Sequence, residues 1–151
     1  FFNPGARATS VYAVADALVA ADFKDKGLLD TSVVTIRYDN GAIATAEANF
    51  SAAYGYDTRA EVFGSAGMAT AGELAASSLR LYSAAGASFD TVRADTQLMR
   101  AAYTGELQAF VNAVAGVESP RPGTEAALEA MVIALACIES VKTGAPVEVV
   151  R

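Results

Sequence analysis

Apolar and polar residues alternate along much of the first half of the chain. Because successive side chains of a β-strand point to opposite faces, strict alternation predicts strands rather than helices. A polar stretch over residues 22–27 separates the first two of these segments. The pattern predicts about six strands in a mostly antiparallel meander, over residues 9–18, 31–39, 42–50, 58–63, 68–71 and 78–82.

The second and third predicted strands are joined by Asn40-Gly41, a strong hairpin signal because both residues tolerate positive φ. The third strand carries alanine at every second position from Ala42 to Ala48, so one of its faces is nearly flat. Small side chains let another sheet approach closely. We therefore expect this row on the sheet face without helices, where a bulky charge at Ala46 would weaken association. If the row lay beneath helices, the same change would instead unfold the domain.

Helical periodicity replaces alternation in the last third of the chain. Apolar residues at helical spacing predict one helix over Thr96 to Ala115 and a second that begins with Thr124 as N-cap and has Lys142 in its last turn. Gly144 and Pro146 end the second helix, and residues 147–150 form a last short strand. Strands followed by helices indicate an α+β fold, an open, mostly antiparallel β-sheet with helices packed on one face.

The bulk composition fits one folded domain, since 53% of the 151 residues are hydrophobic and 19% are charged. A net charge of −6 without a lysine or arginine cluster argues against nucleic acid and anionic membranes as partners. No apolar run approaches the roughly 20 residues that span a bilayer. The single Cys137, expected to be a buried thiol, fits a reducing cytoplasm. The start of the chain, without methionine or signal segment, predicts that it begins inside a longer polypeptide.

The chain contains no histidine, which excludes histidine-based triads and the usual zinc sites from these residues. Gly64-Ser65-Ala66-Gly67 lacks the spacing and the lysine of a phosphate loop, so it is interpreted as a turn. Glu61 alternates with Arg59 on a predicted strand, a pattern more typical of a solvated face or an ion pair than of acid–base catalysis. We therefore predict no catalytic, cofactor-binding or metal-binding residue.

The segment Tyr54-Gly55-Tyr56-Asp57 is the best candidate for a binding site. Glycine between two tyrosines favours a bend or bulge that turns a phenol towards a cleft. The alternative is that the two tyrosines fill a core or an interface.

The chain resembles the C-terminal domain of the Gfo/Idh/MocA oxidoreductases, and most of all the inositol 2-dehydrogenase-like members. Three segments carry the resemblance, which covers nearly the whole chain: Asp30–Val34 running into Tyr38–Ala42; Tyr54–Asp57 through Arg59, Glu61, Val62, Gly64 and Gly67; and Tyr103–Phe110.

The resemblance implies a parent enzyme whose N-terminal Rossmann domain, absent from this chain, binds NAD or NADP. The parent would oxidise a secondary alcohol of a cyclic polyol or sugar, and the family's lysine and Asp/His pair would precede residue 1. This chain would contribute substrate contacts from Tyr56, Tyr103 and Asp57 and pair subunits through its open sheet face. Phe50 stands where many relatives carry arginine, so the polyol stays open. The alternative is a stand-alone small-ligand-binding or protein-interaction module without redox activity.

Overall fold

The computed structural model describes residues 3–151 and divides them into two compact units. Unit 1 combines the chain up to Ser51 with Pro122–Arg151, and unit 2 is Ala52–Arg121. The elements in chain order are β1 (Ala8–Asp16), α1 (Ala21–Asp25), β2 (Thr31–Tyr38), β3 (Ile43–Asn49), β4 (Ala60–Gly64), β5 (Gly67–Ala71), β6 (Leu81–Ser83), β7 (Gly86–Ser88), α2 (Asp95–Leu98), α3 (Arg100–Val114), α4 (Thr124–Thr143) and β8 (Val147–Glu148).

Unit 1 contains a four-stranded sheet in the order β3-β2-β1-β8, and every neighbouring pair is antiparallel. The predicted α+β class with an open antiparallel sheet is confirmed. The predicted meander of about six strands was wrong in detail, because β4–β5 and β6–β7 form two separate hairpins within the described residues. Both hairpins close through tight local turns, with Gly64 opposite Gly67 and Ser83 opposite Gly86. Alternation marks a strand but does not say which strand it pairs with.

The hairpin predicted at Asn40-Gly41 is confirmed. Gly41 has a φ of 85°, a left-handed conformation that costs glycine little. The Asn40 side chain accepts a hydrogen bond from the N–H of Ala42 at 3.1 Å, and the N–H of Tyr38 donates to the Ala42 carbonyl at 3.0 Å. This turn sets the register of β2 against β3, which decides which side chains share a face.

Helix α4 packs against β1 and β8. On β1 it faces Val11 and Ala13, which are only 1% and 2% exposed. Ser140 of α4 is fully buried, and its Oγ accepts a hydrogen bond from the N–H of Ala13 at 3.0 Å while donating to the carbonyl of Ala145 at 2.7 Å. A buried helix serine thus satisfies two backbone groups that would otherwise lack a partner.

The register corrects the prediction for the alanine row. Val34 lies opposite Ala13 on one side and opposite Ala46 on the other, and directly opposite residues project to the same face. The row therefore shares the sheet face that α4 packs on, not the face without helices. The opposite face instead carries the exposed apolar side chains of Tyr12, Val14, Val33 and Ile43.

Asp30 lies just before β2 and is 4% exposed. Its carboxylate accepts hydrogen bonds from the N–H groups of Leu18 and Val19, each at 2.9 Å, and of Ala20 at 2.7 Å, and from the Thr31 hydroxyl at 2.7 Å. The bonds from Ala20 and Leu18 are the main reason why the pKa of Asp30 falls far below its usual range. The buried charge anchors the connection after β1.

The helices differ from prediction at their ends. Met99, with φ −95° and ψ 6°, separates α2 from α3, so the first long helix begins at Arg100 rather than Thr96. Thr124 is the first residue of α4, and its N-cap is Gly123. Gly144, in a left-handed conformation, ends α4 as predicted. Over residues 3–151, none of the helices combines the length and the apolarity needed to cross a membrane.

Candidate functional site

The tyrosine segment, residues 54–57, lies in unit 2 on the connection between β3 and β4. The side chains of Tyr54 and Tyr56 are 48% and 50% exposed. They are therefore not fully buried core residues, and a binding site or an interface stays open for them. A half-exposed phenol keeps its ring packed while its hydroxyl can meet a ligand.

A second stretch of unit 2, residues 91–93, holds the backbone of the tyrosine segment, and we call it the strap. The N–H of Tyr56 donates to the carbonyl of Val92 at 2.8 Å. Thr91 donates its hydroxyl to the carbonyl of Tyr54, and Arg93 donates Nη1 to the carbonyl of Ala53 at 3.1 Å. Three consecutive strap residues thus hold the three consecutive peptide groups between Ala53 and Tyr56.

Gly55 is required by the close approach of the strap. Its φ is 118°, and a Cβ at this position would lie 2.2 Å from the carbonyl oxygen of Val92. Real Cβ atoms essentially never approach another atom so closely. The predicted bend at this glycine is confirmed, and its cause is the buried backbone of Val92, which sequence alone did not indicate.

Asp57 is held by its neighbours. The Nε of Arg59 donates to both carboxylate oxygens, at 2.9 and 3.1 Å, and Nη2 lies 2.9 Å from Oδ2. The Tyr54 hydroxyl donates to the same carboxylate at 3.4 Å. Hydrogen bonding to Asp57 raises the pKa of Arg59. The pair therefore neutralises its own charge beside the tyrosines, and Arg59 pairs with Asp57 rather than with Glu61.

Tyr56 and Tyr103 are the other two predicted substrate contacts. Tyr103 lies near the start of α3, in unit 2, and is 46% exposed. Among residues 3–151, the hydroxyl of neither tyrosine is engaged in a hydrogen bond, and none links Tyr103 to the tyrosine segment. Each phenol can donate one hydrogen bond and accept others. Their role as substrate contacts stays a prediction.

The turn Gly64–Gly67 is not a dinucleotide phosphate site. The glycine-rich turn Gly64–Gly67 joins two antiparallel strands, whereas a dinucleotide phosphate site needs a strand that runs through glycines into a helix. In the part of the chain that the structure describes, three or more His, Cys, Asp or Glu side chains do not come together as metal ligands.

Cys137, expected to be buried, is only partly buried, and desolvation raises the pKa of its thiol.

Unit 1 contains a shallow apolar hollow of about 250 Å³ at the end of its sheet. Ala15, Ser32 and Ala48, neighbours in the register, form part of its lining, together with Phe50. Its charged group is Asp30, whose two carboxylate oxygens already accept the hydrogen bonds described above. The hollow therefore presents little polar chemistry to a ligand.

Comparison with known proteins places the chain in a family. It matches the model of the oxidoreductase family, C-terminal alpha/beta domain, over residues 1–149. It is 34% identical over 152 residues to an uncharacterized oxidoreductase, YrbE, of Bacillus subtilis strain 168, covering 96% of this chain and 43% of that protein. It is 31% identical over 144 residues to the scyllo-inositol 2-dehydrogenase (NAD(+)) of the same organism, covering 95% and 42%.

Solved structures agree. The probable dehydrogenase of Thermotoga maritima superposes with a TM-score of 0.88 at 28% identity, over 96% of this chain and 44% of that one. The myo-inositol 2-dehydrogenase of Lactobacillus plantarum gives 0.89 at 25% identity, over 97% and 43%. The chain thus spans less than half the length of each of these relatives. It belongs to the Gfo/Idh/MocA oxidoreductases and corresponds to their C-terminal alpha/beta domain.

Proposed function

We propose that this chain is the substrate-binding and subunit-pairing domain of an NAD- or NADP-dependent dehydrogenase that oxidises a secondary alcohol of a cyclic polyol or sugar. The observation that carries the proposal is the tyrosine segment, which holds two phenols half-exposed on a fixed backbone. Relatives named inositol 2-dehydrogenases support this substrate class. The nicotinamide nucleotide would be held by an N-terminal Rossmann domain outside these residues.

In this arrangement the tyrosines orient the substrate and do not take its proton. A polyol presents many hydroxyl groups, and a phenol both donates to and accepts from them. Asp57 presents little free charge because Arg59 and Tyr54 already occupy its carboxylate. The site thus suits an uncharged polyol, whose ring Tyr56 and Tyr103 would hold by hydrogen bonds.

Tyr56→Phe in the full-length dehydrogenase tests the proposal. Removing one hydroxyl should raise KM for myo-inositol or scyllo-inositol about fivefold to tenfold, since a hydrogen bond contributes roughly 1 kcal/mol. The KM for NAD should not change. Tyr82→Phe is the matched control, because Tyr82 lies in β6 and is 77% exposed. A wild-type enzyme that oxidises neither inositol nor any other cyclic polyol or sugar would contradict the proposed function.

Subunit pairing is proposed for the sheet face of unit 1 opposite α4. Tyr12, Val14, Val33 and Ile43 on this face are 43%, 56%, 47% and 64% exposed. An exposed apolar patch on one face of a sheet is typical of an interface.

Val14→Asp should therefore weaken self-association, because it places a charge in the middle of the proposed interface. Sedimentation velocity of the wild type and the variant across a range of concentrations measures the effect. Val117→Asp is the control, since Val117 is a 74% exposed valine outside the sheet. A wild-type protein that stays monomeric, or equal association of the two variants, would refute this interface.

A further inference from the structure

The strap differs from a neighbouring β-strand in the groups that form its hydrogen bonds to the tyrosine segment. A strand pairs through backbone groups alone, so its pairing depends little on side chains. Here two of the three hydrogen bonds to residues 53–56 come from side chains, those of Thr91 and Arg93. Only the bond between Tyr56 and Val92 is backbone to backbone. The identity of residues 91 and 93 therefore decides how firmly the tyrosines are held.

The strap is itself anchored on its other side. Thr91 forms an isolated antiparallel bridge with Ala75, and the N–H of Ala76 donates to the carbonyl of Asp90 at 2.8 Å. Val92, in the middle of the strap, is 7% exposed. The strap is thus a fixed support, and the tyrosine segment is the part that it holds in place.

The hydrogen bonds that hold the backbone also limit where the two phenol side chains can lie. Thr91 holds the carbonyl of Tyr54, and Val92 holds the N–H of Tyr56, on the two sides of Gly55. A Cβ at Gly55 would lie 2.2 Å from the carbonyl oxygen of Val92, so no side chain fits between this residue and the strap. Loss of the Thr91 hydroxyl would free the carbonyl before the glycine and let the bend open.

We propose that Thr91 and Arg93 are positioning residues for the polyol, acting through the backbone of Tyr54–Tyr56 without touching the substrate. The inference rests on the proposed function for its substrate, but the support of the segment stands on the hydrogen bonds alone. The two parts can therefore be tested separately.

The first test is hydrogen–deuterium exchange of the full-length protein. Thr91→Val keeps the shape of the side chain and removes its hydroxyl, so exchange of the Tyr56 amide should speed up about tenfold, as expected for one lost hydrogen bond. Thr91→Ser should restore the wild-type rate. If Thr91→Val fails to fold, Arg93→Leu takes its place in the test. This change at an exposed side chain should give the same acceleration of exchange at the Tyr56 amide. Thr104→Val is the control, because its hydroxyl donates only within α3, to Arg100 at 2.9 Å.

The second test is calorimetric and kinetic. Thr91→Val should raise both the Kd and the KM for myo-inositol about fivefold, while kcat and the KM for NAD stay unchanged. Thr91→Ser should have the Kd and KM of the wild type. Unchanged exchange at Tyr56 would overturn the support of the segment. Faster exchange with an unchanged KM, in an enzyme that oxidises inositol, would overturn its link to the substrate. Faster exchange in a protein that oxidises no cyclic polyol or sugar would uphold the support and overturn the proposed function instead.

Discussion

Gly55→Ala should destabilise the protein by about 3 kcal/mol or more, because it combines a left-handed backbone with a steric clash. The new Cβ would lie 2.2 Å from the carbonyl oxygen of Val92, and a backbone atom cannot move aside as a flexible side chain can. The bend would open, and both tyrosines would lose their positions. Urea unfolding measures the loss of stability, and the KM for myo-inositol of any folded fraction should rise more than in Tyr56→Phe.

Gly105→Ala is the matched control for this change. Gly105 lies within α3, and a Cβ there would meet no atom within 4 Å. Alanine in the interior of a helix is more favourable than glycine by about 0.5 to 1 kcal/mol. The same substitution should therefore stabilise the protein at one site and destabilise it at the other. Equal effects at the two sites would contradict the role given to Gly55.

Ser140→Ala should cost about 2 to 3 kcal/mol, because it leaves two backbone groups without a partner in a dry environment. The N–H of Ala13 and the carbonyl of Ala145 both depend on the Ser140 hydroxyl. Alanine recovers a few tenths of a kcal/mol through its better helix propensity. The free energy of unfolding in urea measures the difference.

The control is Thr143→Ala, one turn further along α4. The Thr143 hydroxyl is exposed and donates to the carbonyl of Glu139 in its own helix at 2.9 Å. Its loss should change the free energy of unfolding by less than about 0.5 kcal/mol. If Ser140→Ala unfolds at the same urea concentration as Thr143→Ala, then the link between α4 and β1 contributes nothing to stability.

The features that the sequence predicted well are those set by neighbouring residues. The hairpin at Asn40-Gly41 and the end of α4 at Gly144 depend on one residue's ability to adopt positive φ. The bend at Gly55 is of the same kind. Such signals lie within a few residues, so alternation, periodicity and glycine positions are enough to find them.

The features that the sequence did not predict depend on residues far apart in the chain. The sheet face on which the alanine row lies follows from the pairing of Ala46 with Val34 and of Val34 with Ala13. No local sequence pattern gives these two pairings. Thr91 of the strap and Tyr54, to which it donates a hydrogen bond, are 37 residues apart in the chain. The glycine between two tyrosines indicated a bend but not the distant backbone that approaches it.

The division of unit 1 between the two ends of the chain has a consequence during synthesis. The bond between Ala13 and Ser140 spans 127 residues, and β8 is made after the other described strands. Until then β1 is paired only with β2, and its other edge is open. Unpaired strand edges are templates for pairing with other chains, and contacts between distant residues form slowly. The growing chain on the ribosome therefore carries an open edge on β1, at risk of aggregation, until β8 emerges and pairs with it.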